Sequence, residues 1–352
     1  MRRLLVYFAR VGDLVIFTPI IRHLGRDSTV DLLVRPWGVP LLSGQPAVGT
    51  IHTLANPNRG GLIGALLDGS ERRRVAQTLA ACDYDEIIAF KGENAAILSW
   101  IDSWRGRATV RFISRTIPGA PRHNVDANKN ALVFGGYPVA DYDPLPRLQV
   151  TETARSQAVA RLAPLGHRVV ALQAGSSLTH RWFRRQPNLK GLSPKQWSAF
   201  IEHLFTHDHA DAVVLHGSKP EHRDAQAIIA AVAPAKRSRL HDWTGRVPLT
   251  ELPSVLAASY ATVSVDTGPA HIAAAVGCPL VVIFGPTDPS LFAPRGPGPI
   301  EIILGSAPCQ FCHGTKQFKR CQVNVCLNTL PLTTLTSAFD RMVAATITAR
   351  GQ

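Results

Sequence analysis

No stretch of this 352-residue chain is apolar for long enough to cross a membrane as a helix. The longest candidate, Ala273 to Phe284, carries Gly277 and Pro279 and falls well short of the roughly 18 residues that a helical span needs. The opening residues return to charge after only six uncharged positions, Leu4 to Ala9, too few for the apolar region of a secretory signal. A soluble cytoplasmic protein is therefore expected. Acidic residues are scarce: 25 Asp and Glu stand against 38 Lys and Arg, giving +13 at pH 7. That balance predicts attraction to polyanions without choosing among nucleic acid, an anionic membrane surface, phosphorylated glycolipid and nucleotide. Also missing is the Gly-x-Gly-x-x-Gly turn of dinucleotide enzymes. Ala9-Arg10-Val11-Gly12-Asp13 stands in its place after the first apolar run, which argues against an NAD-dependent oxidoreductase. No compact basic, aromatic-rich segment gathers the dispersed cations, so a nucleic-acid-binding protein with a four-cysteine metal module is a weak alternative. No repeat at solenoid spacing is visible.

What is present, 45% hydrophobic and 18% charged over this length, predicts two packed cores. Short apolar runs alternate with helical stretches throughout, the pattern of α/β domains with parallel sheets. Strands are expected at Arg3–Ala9, Val30–Val34 and Glu86–Phe90, with a helix at Asp13–Leu24. The proline-rich stretch Tyr137 to Arg147 cannot hold a regular element and reads as a linker. The pattern restarts with a helix at Thr151–Leu162 and strands at Arg168–Gln173, Ala212–His216, Ala261–Val265, Leu280–Phe284 and Ile300–Leu304. The expected divisions are residues 1–147, residues 148–330 with a cysteine-rich loop at 305–328, and a closing helix within 331–352.

The segment Ser264 to Thr287 is the most informative. A buried strand ends at Asp266, Thr267-Gly268 turns tightly, and Pro269 suits the first position of an Ala-rich helix whose free N–H groups would meet phosphate. His271, one turn in, can lean toward the same oxygens; alternatively Asp266 or Thr267 only caps the helix and His271 is a surface residue. Gly12-Asp13 repeats the construction after the first strand, where a carboxylate at the carboxyl edge of a parallel sheet is a candidate base, or merely a favourable helix-start charge. Gly175-Ser176-Ser177 and then His180-Arg181 put hydroxyls and cations at another strand end, ingredients for holding a diphosphate. His216-Gly217-Ser218 ends a fourth strand, and Glu221 can accept from ribose hydroxyls or belong to an ordinary loop. Two Asp-x-Asp triplets, Asp83-Tyr84-Asp85 and Asp141-Tyr142-Asp143, read as solvated turn acids rather than Mg²⁺ ligands. Cys309, Cys312, Cys321 and Cys326, spaced Cys-x2-Cys, eight residues, Cys-x4-Cys, fit a structural Zn²⁺ or Fe site that would staple a long structureless loop, or remain reduced structural thiols.

In this order the segments resemble glycosyltransferase family 9, whose best-known members are ADP-heptose-dependent lipopolysaccharide heptosyltransferases. Gly12-Asp13 with Thr18-Pro19, Trp243-Thr244-Gly245, Leu249-Thr250-Glu251-Leu252 and the stretch from Asp266 to Thr287 carry the likeness, which covers nearly the whole chain. It implies a GT-B protein, two Rossmann-like domains facing across a cleft, the first binding the acceptor and the second the nucleotide sugar. It implies an inverting transfer of heptose from ADP-heptose to a lipopolysaccharide core or related glycan, with no metal needed for catalysis. Asp13 would be the base, Thr267 and Gly268 would hold the diphosphate, Glu221 would bind the ribose, and Asp266 and His271 would make structural or polar contacts. The family commonly has a lysine shortly before the tryptophan that Trp182 matches. His180 and Arg181 stand there instead, so Arg181 is expected to supply the cation, with Ser176 and Ser177 nearby. The partners implied are an ADP-sugar and an anionic glycolipid or glycan at the inner face of the cytoplasmic membrane, and no nucleic acid. Protein hydroxyls are the alternative acceptor, and one branch of the family that glycosylates autotransporter proteins holds iron on late cysteines.

Overall fold

The computed structural model describes the chain except residues 58–60, 91–94, 116–121, 177–179, 182–183, 186–188 and 351–352. At 61–68, 180, 181, 184, 185, 349 and 350 only the backbone is described. The chain divides into two compact units, Met1–Pro146 and Arg147–Gln352.

The first unit holds strands β1 (Arg3–Val6), β2 (Val30–Val34), β3 (Val48–Thr53), β4 (Glu86–Phe90) and β5 (Thr109–Ile113) in a parallel sheet of order β3-β2-β1-β4-β5. The central strands are buried on both faces and therefore read as continuous apolar text: Leu4, Leu5, Val6, Leu32, Leu33, Ile87 and Ile88 all lie inside. Glu86 is also inside, and its charge is met from both sides. Arg3 Nε donates to Oε2 at 3.1 Å and Arg111 Nε to Oε1 at 2.7 Å, which joins β1, β4 and β5. The expected linker is held by helix Val11–Leu24: Arg22 donates to the Asp143 carboxylate at 2.9 Å and to the Leu145 carbonyl at 3.1 Å. The Asp-x-Asp triplets are spent in the same way. Asp83 pairs with Arg107 at 2.7 Å, Asp85 accepts from the Arg2 backbone N–H at 2.7 Å, and Asp141 lies 3.8 Å from Arg26.

The second unit adds β6 (Val169–Gln173), a short antiparallel pair of β7 (His180–Arg181) and β8 (Arg184–Arg185), then β9 (Ala212–His216), β10 (Leu240–Asp242), β11 (Ala261–Val265), β12 (Leu280–Phe284) and β13 (Ile300–Leu304). All but the pair form a parallel sheet of order β10-β9-β6-β11-β12-β13. Helix Pro194–Thr206 starts at a full capping box, with the Ser193 and Gln196 side chains each serving the other's backbone. Its Trp197 and Phe200 are buried, and Phe200 meets Phe339 of helix Leu332–Arg350 at 5.9 Å. Gln196 Nε2 also donates to the Leu327 carbonyl at 2.9 Å, fastening the cysteine-rich segment. That segment is not the structureless loop expected, since it contains short helices at Lys316–Arg320 and Val325–Asn328.

Candidate functional site

In the second sheet the strand order reverses between β6 and β11. From β6 the chain leads outward to β9 and β10, and from β11 outward to β12 and β13 on the other side. Connections leaving the two carboxyl ends therefore diverge and open a crevice, the place where parallel sheets bind ligands. β11 is followed there by Asp266. Thr267 then takes an extended backbone, φ −150° and ψ 171°, and helix Gly268–Ala275 begins with Pro269 in its first turn. The Thr267 side chain does not cap this helix start. Thr267 Oγ1 donates instead to the Val265 carbonyl at 3.2 Å, and the first backbone N–H groups are suited to an anion. His271 lies buried in the same turn, and Ser176 lies buried after β6.

The cation at this strand end is Lys190, which the sequence reading passed over. Its Nζ donates to Asp266 Oδ2 at 2.6 Å and to the Asp266 carbonyl at 3.3 Å, and both side chains are nearly enclosed. The segment carrying it is fixed at Gly191, whose carbonyl accepts from the buried Asn324 amide at 2.8 Å. Ser177 and the side chain of Arg181 lie outside the described residues.

Glu221 lies in a tight turn at the end of β9, not on an open loop. It is 5% exposed, and its Oε2 accepts from the Ser218 backbone N–H at 2.8 Å and hydroxyl at 2.7 Å in a capping box. Its Oε1 accepts from Gln173 Nε2 at 2.8 Å, and Gln173 also donates to the Gly175 carbonyl at 3.0 Å. Gln173 thus ties the β6 and β9 strand ends together. Gly217, at φ +155°, lets the chain pass: a Cβ there would stand 3.1 Å from that of Glu221. Beneath this turn His216 is buried beside Trp243, and burial pushes its pKa down to about 4, so the ring is neutral at physiological pH. The Trp-Thr-Gly motif and Glu251 meet through Arg161, whose guanidinium lies 4.4 Å from the Trp243 ring and pairs with Glu251 at 2.7 Å. These motif residues brace the sheet.

Asp13 lies in the first turn of helix Val11–Leu24, just beyond β1, at the switch point between β1 and β4 of the first sheet. It is half-buried, and among the described residues no hydrogen bond or ion pair engages its carboxylate. The cysteines stand beside the end of β12, where the His313 N–H donates to the Pro286 carbonyl at 2.9 Å. They are close enough to act on one another. Burial and then the neighbouring thiols raise Cys312, and burial with Cys312, Cys309 and Cys321 pushes Cys326 up to about 11. Among the described residues, no three of their sulfurs lie within 4.8 Å of one another. Among the described residues, the group of His, Cys, Asp or Glu ligand atoms found within 4.8 Å of one another is elsewhere, at His203, His209 and Asp340.

Residues 72–322 match the family model for glycosyltransferase family 9 (heptosyltransferase). The chain belongs to glycosyltransferase family 9. It is 25% identical over 311 residues to lipopolysaccharide heptosyltransferase 2 of Escherichia coli K12, covering 81% of this chain and 82% of that one. It is 26% identical over 329 residues to lipopolysaccharide heptosyltransferase 1 of Pseudomonas aeruginosa, covering 89% and 86%. The solved structure of E. coli ADP-heptose lipopolysaccharide heptosyltransferase II superposes with a TM-score of 0.70 at 19% identity, over 97% of this chain and 99% of that one. The last likeness is one of fold. Together they make this family 9 chain a glycosyltransferase, an enzyme of EC 2.4 type, with the two Rossmann-like units of the GT-B class. Among the described residues no helix is long and apolar enough to cross a membrane.

Proposed function

We propose that this enzyme transfers a heptose from ADP-heptose to a lipopolysaccharide core or related glycan, inverting the anomeric centre without a metal in the chemistry. The observation that carries the reading is the β6–β11 switch point, where an uncapped helix start, a buried Lys190–Asp266 pair and Ser176 stand together. Asp13 takes the proton from the acceptor hydroxyl, whose oxygen attacks the anomeric carbon. The bond from that carbon to phosphate oxygen breaks, and ADP leaves with the electron pair. Thr267, Gly268 and the following N–H groups hold the diphosphate, and Lys190, with Arg181, offsets the charge gathering on it. Glu221 and Gln173 set the floor beneath the ribose, where a hydroxyl can use the remaining capacity of Glu221 Oε1. The net charge of +13 favours an anionic glycolipid acceptor at the inner face of the cytoplasmic membrane.

A panel of nucleotide sugars scored by melting temperature tests the donor. ADP-heptose at about 100 times its Kd stabilises by about 2.7 kcal/mol, which raises Tm by several degrees, while UDP- and GDP-sugars do not. An equal rise with UDP- or GDP-sugars, and none with ADP-heptose, would sink the reading.

The four cysteines also fit, by donor chemistry, a structural Zn²⁺ or Fe ion, and thiols that raise one another's pKa need such a cation to become thiolates. One thiolate-bound metal per chain is expected by elemental analysis, lost in Cys312→Ser/Cys321→Ser. A metal-free, equally stable wild type would leave them as reduced thiols.

A further inference from the structure

Helix Pro194–Thr206 ends in a histidine-rich turn that the proposed reaction does not use. His203 and His207 stand one helical turn apart, their rings 4.1 Å centre to centre. Asp208 adopts a left-handed φ of +56°, and the N–H of His209 then donates back to the Leu204 carbonyl at 2.8 Å. This Schellman closure folds His209 onto its own helix, its ring 5.7 Å from that of His203. The left-handed turn at Asp208, a conformation glycine takes more readily, brings His209 back. From helix Leu332–Arg350, Asp340 Oδ1 reaches to 3.3 Å of His209 Nε2. Phe339, its neighbour, holds the His209 ring edge-on at 5.9 Å.

We propose that His203, His209 and Asp340, with His207 as fourth donor, bind a divalent transition-metal ion of zinc-like softness, clamping the last helix to helix Pro194–Thr206. Ligand atoms of the first three lie within 4.8 Å of one another, so side-chain adjustments of about 1 Å bring them to tetrahedral spacing. His203 Nε2 is buried without a hydrogen-bond partner, a cost that a metal would remove. His207 Nδ1 lies 3.0 Å from the His203 carbonyl. Donation there leaves the lone pair on Nε2, the tautomer that metal-bound histidines take. Imidazole with one carboxylate suits Zn²⁺, Co²⁺, Ni²⁺ or Cu²⁺ and is a poor set for Mg²⁺.

The test uses full-length, tag-free protein titrated with Co²⁺ and Zn²⁺ by calorimetry, absorbance and thermal melting. One equivalent of Co²⁺ should bind without thiolate charge-transfer absorbance and raise Tm, and Cys312→Ser/Cys321→Ser should retain it. His209→Gln and Asp340→Asn should each lose at least about tenfold in Co²⁺ affinity. Their melting in chelator should stay close to wild type, since neither side chain is fully buried. Wild-type affinity and stoichiometry in both variants, or an unchanged wild-type Tm at millimolar Co²⁺, would show a plain His–Asp ion pair and overturn the proposal.

Discussion

Replacing Lys190 by Met should lower the melting temperature of the second unit by about 10 °C and cut heptose transfer by at least about a hundredfold. The two effects have separable causes. Lys190 and Asp266 face each other at 2.6 Å with little access to water. Removing one partner strands the other charge, at a cost of about 3–5 kcal/mol. For a unit of this size each kcal/mol is roughly 2–4 °C. The loss of transfer comes from the missing positive charge beside the uncapped start of helix Gly268–Ala275. A double variant, Lys190→Met with Asp266→Asn, distinguishes them. Removing both charges should restore most of the melting temperature but not the turnover. Lys190→Arg should keep the fold better than Met, yet recover only part of the activity, because a planar fork does not fit a site shaped for an ammonium. If the double variant turned over at the wild-type rate, Lys190 would be a structural counter-ion and nothing more.

That lysine also marks where the sequence stopped being legible. Strands buried on both faces announce themselves as apolar runs, and β2, β4, β9, β11 and β12 lie at the expected residues; edge strand β13 does so too, because its text Ile-Glu-Ile-Ile-Leu is apolar although half-exposed. The edge strands β3 and β5 and the short β10 carry polar residues, as in Val48-Gly49-Thr50-Ile51-His52-Thr53, and give no such signal. Turns after strands could be read because glycine, proline and hydroxyls have few other reasons to cluster there. A lone lysine in an irregular segment has no period and no neighbour to flag it. Glu221 shows the converse. Its position was visible, but its capping box with Ser218 and its bond to Gln173 depend on backbone geometry that composition does not encode. The histidine turn needed both a left-handed Asp208 and a helix more than a hundred residues later, so nothing local in the text could assemble it.

Asp13→Asn should reduce transfer by roughly 10²- to 10⁴-fold while leaving ADP affinity within about twofold of wild type. Asn keeps the size and the hydrogen-bonding reach of Asp but cannot accept the acceptor's proton, so the ground-state complex survives and only the bond-forming step suffers. The competing account is that Asp13 merely stabilises the start of helix Val11–Leu24, which its place in the first turn permits. That account predicts a loss of about 0.3–1 kcal/mol in stability and little change in turnover. Among the described residues the carboxylate is held by no partner, whereas Asp31 in the same unit accepts from the Tyr84 hydroxyl at 2.8 Å and the Thr50 N–H at 2.7 Å and is plainly structural. Leaving a half-buried carboxylate unpaired forgoes hydrogen bonds that the fold makes elsewhere, which is reasonable at a position kept open for a substrate proton. ADP release under saturating donor and acceptor, set beside calorimetric ADP binding and a melting curve, reads all three quantities. A variant with wild-type kcat and a small drop in Tm would reduce Asp13 to a helix-start charge, whereas a collapse of kcat with binding and stability intact would assign it the proton.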